Sequence, residues 1–332
     1  MHSVLVTGAS GFTGSALANE LAKRGYRVKA LVRETSDLQL LDQQAIAAGK
    51  IELCRGDVRN FDSLNAAMQG VDYVYHIAAL YRVAKHPDQV YWDVNVSGTE
   101  KVLWAAKDNH VKRTLHCSTI GVHGGVNDIP ASEESAYAPS DVYQITKLEG
   151  EKLAQRAIES GQPITIVRPA GIYGPGDLRF LKLFSMVRAG RFIMFGSGQT
   201  LMHMVYIDDL VAGMIQANES DAGLGQTVIL AGEEYVTLNE LVRLVGIATK
   251  TNGHTWRLPI WPLMTAATLC EIACKPFGFE PPLHRRRAAF FTKDRAFSIE
   301  RAKEVIGYCP QVSLETGLMK TAKWYFENNL LA

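Results

Sequence analysis

The chain has 332 residues, 47% of them hydrophobic and 21% charged, an ordinary globular composition with enough length for one large unit and one smaller one. Its 35 basic and 34 acidic side chains leave a net charge of +1, so no general field draws in polyanions and nucleic acid is not an expected partner. Five scattered cysteines (Cys54, Cys117, Cys270, Cys274 and Cys309) and the lack of a charged, apolar leader before the first strand-like run suit a reducing cytoplasm.

Up to about residue 175, short β-branched runs alternate with stretches of helical period, the rhythm of a parallel sheet wrapped in helices. The first run, Ser3–Thr7, opens into Gly8-Ala9-Ser10-Gly11-Phe12-Thr13-Gly14 and then a helix that carries Leu17 and Leu21 and stops at Gly25. A glycine loop at that junction is where a dinucleotide pyrophosphate is held. Gly8 permits the tight turn, Gly11 lets phosphate approach the backbone, and Gly14 permits close helix packing. The second run, Arg27–Val32, is followed by Arg33, with no acid at the strand end to accept the adenosine ribose hydroxyls. An arginine there suits a 2′-phosphate, which favours NADP(H) over NAD(H); the plain alternative is a solvated surface side chain.

Further runs at 51–54, Tyr73–His76, 113–116 and 164–167 read as strands, several apolar throughout and so buried on both faces. Helices are expected over about 94–106 and 142–157, and His76, His116, His123 and His203 read as core or structural. In the later helix Tyr143 and Lys147 stand at i and i+4 and project from one face. Lowering a tyrosine pKa from about 10 to about 7 takes roughly 4 kcal/mol, which one ammonium about 4 Å away supplies at an effective dielectric of about 20. The pair is therefore a sufficient acid/base unit. Tyr81 and Lys85 repeat the spacing, but in the loop after the fourth strand, where Tyr81 reads as a lining residue or a decoy.

Beyond about residue 177 the rhythm loosens, and Pro259 and Pro262 mark an apolar stretch at 258–274. Its 13 uncharged residues up to Cys270 are too few to span a bilayer, leaving a pocket wall, a core helix or a peripheral membrane contact; a pocket wall is expected. Cys270 and Cys274 lack neighbouring ligands for zinc, so no metal site is expected and both read as buried thiols.

Several motifs in order resemble the extended short-chain dehydrogenases of the epimerase/dehydratase type. They are the glycine loop, Cys117-Ser118-Thr119-Ile120-Gly121-Val122, the Tyr143/Lys147 pair, Arg168-Pro169-Ala170-Gly171-Ile172-Tyr173-Gly174-Pro175-Gly176 and Val205-Tyr206-Ile207-Asp208-Asp209. The resemblance implies an α/β fold: a Rossmann-type doubly wound parallel sheet over 1–175 and a smaller α+β C-terminal substrate lobe over 176–332, part of which returns to the first unit. It implies that Tyr143 exchanges a proton with the substrate oxygen. Thr119, with Ser118 as substitute, orients that oxygen, and Lys147 tunes the phenol and holds the ribose. It also implies cofactor contacts from Gly8, Ser10, Gly11, Phe12, Thr13, Gly14, Arg33, Asp57, Val58, Ala78, Ala79, Asn95, Pro169, Ala170 and Ile172. A homodimer through the helices bearing Asn95 and Tyr143 is implied as well. Asp209 either caps a helix or serves the site.

Members acting on nucleotide sugars commonly carry Asn at the position of Gly171 and Arg at that of Met202, and this chain has neither. The segment from Lys293 to Lys303, with Gly307-Tyr308, resembles the 3β-hydroxysteroid and sterol 4-carboxylate dehydrogenases. The leading expectation is an oxidoreductase for an alcohol or ketone on a bulky apolar skeleton of steroid, terpenoid or flavonoid kind. A nucleotide-sugar epimerase or dehydratase is the alternative, favoured by Arg285-Arg286-Arg287, and a non-catalytic dinucleotide sensor is the third reading.

Overall fold

A computed structural model describes residues 2–81, 86–251, 255–274 and 290–331. The strands are β1 (Ser3–Thr7), β2 (Arg27–Val32), β3 (Ile51–Arg55), β4 (Tyr73–His76), β5 (Arg113–Cys117), β6 (Ile164–Pro169), β7 (Gly171–Tyr173), β8 (Phe192–Phe195), β9 (Leu201–Tyr206), β10 (Thr227–Leu230), β11 (Tyr235–Thr237) and β12 (Thr255–Leu258). Seven of them form one sheet in the order β10-β6-β5-β4-β1-β2-β3. All its pairs are parallel.

Burial explains why the middle of β1 is an unbroken apolar run: Val4, Leu5 and Val6, like Thr7 after them, are each 0% exposed. Val4 and Val6 pack into the cluster that holds Leu17 and Leu21 of the helix Phe12–Lys23, while Leu5 faces Leu64, Met68 and Val102 on the other side. From β1 the chain winds outward to β3 and then returns to β4 on the opposite side of β1. The carboxyl ends of β1 and β4 therefore flank the switch-point crevice where sheets of this kind bind ligands.

The expected single helix near 94–106 is three pieces: the helix Asp88–Trp92, a π-helical turn Asp93–Ser97 and the helix Gly98–Asp108. Such turns gather at functional positions, and Asn95 lies within this one. The helix Val142–Glu159 crosses close to it: a Cβ on Gly150 would come within 2.4 Å of the Asn95 carbonyl.

The second half of the chain adds β10 to the central sheet and builds two small sheets, β11-β9-β7 and β12-β8. The helix Leu314–Glu327 closes over them; its buried Tyr325 donates to the carbonyl of Asp177 at 2.5 Å. The helix Ile260–Cys274 is a surface feature. Ala267 is its buried hydrophobic residue, while Trp261, Leu269 and Ile272 are 67%, 62% and 63% exposed. Cys270 and Cys274 are half-exposed rather than buried, since among the described residues the helix keeps Ala267 buried and leaves Trp261, Leu269 and Ile272 largely exposed. No helix among the described residues is long and apolar enough to cross a membrane, and none of their His, Cys, Asp or Glu clusters suits a metal ion.

Candidate active site

The glycine loop is shaped by two contacts that side chains would prevent. Gly8 has φ +70°, and a Cβ there would meet Ala78 at 2.8 Å; a Cβ on Gly14 would meet the Gly8 carbonyl at 2.1 Å. The loops after β1 and β4 thus touch across the switch point. Gly11 is exposed, and the helix that follows has no side-chain cap and no acid in its first turn. Its N-terminal amides are left for an anion, so this cradle fits a dinucleotide pyrophosphate. Ser10, Phe12 and Thr13 line the same loop and are half-buried.

Beneath the crevice runs a directional chain of hydrogen bonds. The Ala78 amide donates to Thr7 Oγ1 at 3.2 Å, Thr7 Oγ1 lies 2.8 Å from His76 Nδ1, and His76 Nε2 lies 3.0 Å from Thr99 Oγ1. Thr99 spends its own proton on the Asn95 carbonyl at 2.8 Å, so the donor count places the His76 proton on Nε2 and makes Nδ1 the acceptor. Burial, with the charge of Lys147, pushes His76 down to about 3. His116, its partner across β4 and β5, is pushed well down for the same reasons. The Asn95 side chain accepts from the Leu80 amide at 2.7 Å and donates to the Leu80 carbonyl at 3.2 Å and to Thr146 Oγ1 at 3.0 Å. It thereby ties the segment Ala78-Ala79-Leu80 to the helix of Tyr143.

That helix starts where Asp141 accepts from the Gln144 amide at 2.8 Å. One turn on, Lys147 is 3% exposed and donates to the Cys117 carbonyl at 2.5 Å, at the end of β5 and two residues before Thr119. Burial holds the Lys147 ammonium below the ordinary lysine range, while the Glu151 charge works the other way. Thr119 is half-buried and caps a short 3-10 turn, accepting from the Gly121 amide at 3.0 Å; a Cβ on Gly121 would sit 3.3 Å from Gln144. The Thr119 turn therefore lies against the start of the helix that carries Tyr143 and Lys147. The half-exposed Tyr143 ring stands edge-on to Tyr81, with centroids 4.9 Å apart, so Tyr81 lines the site. Lys85 lies outside the described residues.

Ser118, expected as the substitute for Thr119, is corrected by the structure. It is 4% exposed and donates to Glu151, away from the crevice. Glu151 also pairs with Arg168, Oε1 to Nη2 at 2.6 Å and Oε2 to Nε at 3.1 Å. Arg168 is 1% exposed and reaches His123 Nε2 at 2.9 Å, the Glu133 carbonyl at 2.7 Å and the Tyr137 hydroxyl at 2.8 Å. This hub joins β6, the Thr119 loop, the segment before the helix Val142–Glu159 and that helix itself. The sequence placed Arg168 inside a motif, but its partners lie 17 to 45 residues away and left no local signal.

Arg33, the residue expected at the adenosine, is exposed just past β2. Arg55 donates to its carbonyl at 3.1 Å, and Arg59 forms a two-point pair with Asp57 at 3.0 and 2.7 Å. That pair, foremost through the Arg59 hydrogen bond, holds the Asp57 carboxyl below its usual range. Arg55 and Arg59 escaped the sequence reading, although Arg55 ends the strand that pairs with β2 and Arg59 follows it. Val58 is buried against Gly98; Pro169 and Ala170 are buried at the end of β6, with half-buried Ile172 just beyond. Asp209 neither caps a helix nor faces the crevice. Its carboxylate accepts from the amides of Gln311 and Val312 at 2.9 and 3.0 Å and anchors the C-terminal segment. A Cβ on Gly171 would strike Met204 Sδ at 2.8 Å, and Met202 is only 7% exposed. Arg285, Arg286 and Arg287 lie outside the described residues.

Comparison with known proteins agrees with this geometry. A ketoreductase of Stigmatella aurantiaca, named for 4-hydroxy-2-methyl-3-oxo-4-farnesyl-3,4-dihydroquinoline-1-oxide, is 30% identical over 94% of this chain and 93% of its own length. The 3beta-hydroxysteroid-dehydrogenase/decarboxylase isoform 1 of Arabidopsis thaliana is 29% identical over 96% of this chain and 78% of its own. The crystal structure of UDP-glucuronic acid 4-epimerase from Bacillus cereus in complex with NAD superposes with a TM-score of 0.78, at 25% identity, over 98% of this chain and 99% of that one. The pattern of the NAD dependent epimerase/dehydratase family matches residues 4–232, and the chain belongs to that family of NAD-dependent, short-chain-dehydrogenase-type enzymes.

Proposed function

We propose that this chain is an oxidoreductase that moves hydride between a nicotinamide, NADP(H) in preference to NAD(H), and an alcohol or ketone carbon on a bulky apolar skeleton. The observation that carries the substrate class is the pair of positions where nucleotide-sugar enzymes commonly hold Asn and Arg. Gly171 carries no side chain and sits close against Met204, and Met202 is buried, so neither offers a polar contact to a sugar nucleotide. The ketoreductase and hydroxysteroid dehydrogenase among the relatives support the same class. The exposed Arg33, with Arg55 and Arg59 close by, supports a 2′-phosphate.

The dinucleotide supplies the hydride; the chain supplies position and the proton. The glycine loop holds the pyrophosphate, residues 1–175 form most of the cofactor unit, and 176–332 mainly enclose the substrate. Tyr143 exchanges the proton with the substrate oxygen, Thr119 orients that oxygen, and the Lys147 ammonium favours the phenolate. Exposed Trp104 and Ile145, on the helices that carry on from Asn95 and from Tyr143, support a homodimer through that face, and the five free cysteines support a reducing cytoplasm. The test is a screen of NADPH and NADH oxidation against steroid, terpenoid, flavonoid and UDP-sugar panels. Turnover of an apolar ketone with NADPH is expected. Interconversion of UDP-sugars without net cofactor consumption would overturn the substrate class.

A further inference from the structure

Arg179 lies in the loop that follows β7, outside the motifs read from the sequence, and it sits where three separate loops meet. Its guanidinium is fixed at the base by buried Asp177, through Nε at 2.7 Å and Nη2 at 3.2 Å, and Nη2 also donates to the Ile172 carbonyl at 3.0 Å. From that anchor its centre lies 5.4 Å from the ring centroid of Phe12 in the phosphate loop and 5.6 Å from that of Tyr81 beyond β4. Both are within cation–π reach. Tyr81 in turn meets the Tyr143 ring at 4.9 Å. The same loop touches the phosphate loop a second time, since a Cβ on Gly176 would lie 3.6 Å from Phe12 and from Leu40.

An unbroken line of contact therefore runs from Phe12 through Arg179 and Tyr81 to Tyr143, from the pyrophosphate end of the crevice to the reacting end. Asp177 already balances the Arg179 charge, so the guanidinium is poorly suited to capture a free anion. What its planar faces can do is hold two aromatic rings from opposite sides of the crevice together. Resting on the reading that a dinucleotide lies along this crevice, we infer that Arg179 is a cofactor-retaining residue, which clasps the phosphate loop to the catalytic side and slows dinucleotide release.

The experiment follows release of NADPH and of NADH from the purified full chain by stopped-flow fluorescence, chasing with excess oxidised dinucleotide. Arg179→Lys keeps the charge for Asp177 but loses the planar group, and Phe12→Leu and Tyr81→Leu remove the rings while leaving the Asp177 pair intact. Each is expected to speed release by about 5- to 30-fold. Arg179→Lys should leave the intrinsic deuterium isotope effect on hydride transfer in place, because Arg179 reaches Tyr143 only through Tyr81. Release at the unaltered rate in Arg179→Lys and Phe12→Leu would overturn the clasp while leaving the oxidoreductase reading in place. Failure of the unaltered chain to bind either dinucleotide would overturn both. Should Arg179→Lys fold poorly, the two ring variants decide the question alone.

Discussion

His76 makes the chain's stability depend on pH in a way that one substitution can isolate. In the folded protein it is buried and neutral, donating to Thr99 and accepting from Thr7, and its pKa falls from 6.5 to about 3, chiefly through burial. The unfolded chain binds a proton at this residue near pH 6.5 and the folded chain does not, so the unfolded state gains as pH falls. The stabilisation is complete above about pH 6.5 and is lost progressively down to about 3. Each pH unit inside that window costs about 1.4 kcal/mol, and the whole window about 5 kcal/mol. His76→Gln keeps a donor and an acceptor but cannot titrate. Urea unfolding of the cofactor-free protein at pH 7.5, 6.5, 5.5 and 4.5 should therefore give a shallower pH dependence for the variant, by about 2 kcal/mol between pH 6.5 and 4.5. His116 contributes a decline of its own in both proteins. Parallel curves for the two proteins would refute the reasoning, since they would mean that His76 gains no proton on unfolding.

Tyr143→Phe should slow hydride transfer by about 10²–10⁴-fold in single-turnover kinetics while the dinucleotide Kd changes little, whereas Lys147→Ala should damage both. Near-normal turnover in Tyr143→Phe, with loss in Tyr81→Phe, would show that the acid/base is the other tyrosine. Arg33→Ala should weaken NADP(H) by roughly 10- to 100-fold in fluorescence titration and leave NAD(H) nearly untouched, the effect of about 1.5–3 kcal/mol from a charge-assisted contact. Equal loss for both cofactors would reduce Arg33 to a surface residue. Glu151→Leu should cost about 3–5 kcal/mol in urea unfolding because Arg168 stays buried without its carboxylate, and adding Arg168→Met should recover part of that loss. No recovery in the double variant would mean that the buried pair is not the source of the cost.

Much of this protein follows from short-range pattern. Alternating apolar runs and helical periods mark the six strands from β1 to β6 to within two residues, because burial on both faces demands unbroken apolar residues locally. The glycine loop and the i, i+4 pair of Tyr143 and Lys147 are likewise legible, since backbone freedom and helical geometry are properties of neighbouring residues. Other features depend on residues far apart in the chain, which spacing cannot report. Nothing near Ser118 says that its hydroxyl turns to Glu151, 33 residues on. Thr7 and His76 are 69 residues apart, and the hydrogen-bond chain they form exists only once β1 and β4 lie side by side. Asn95 sits in a π turn rather than a regular helix where its amide bonds Leu80 and Thr146, a local departure set by tertiary partners. Asp209, which resembles a capping or site residue by position, is claimed by the amides of Gln311 and Val312 more than 100 residues later. In each case the side chain had several chemically equal uses, and packing chose among them by bringing one partner within hydrogen-bonding distance in a place that water does not reach.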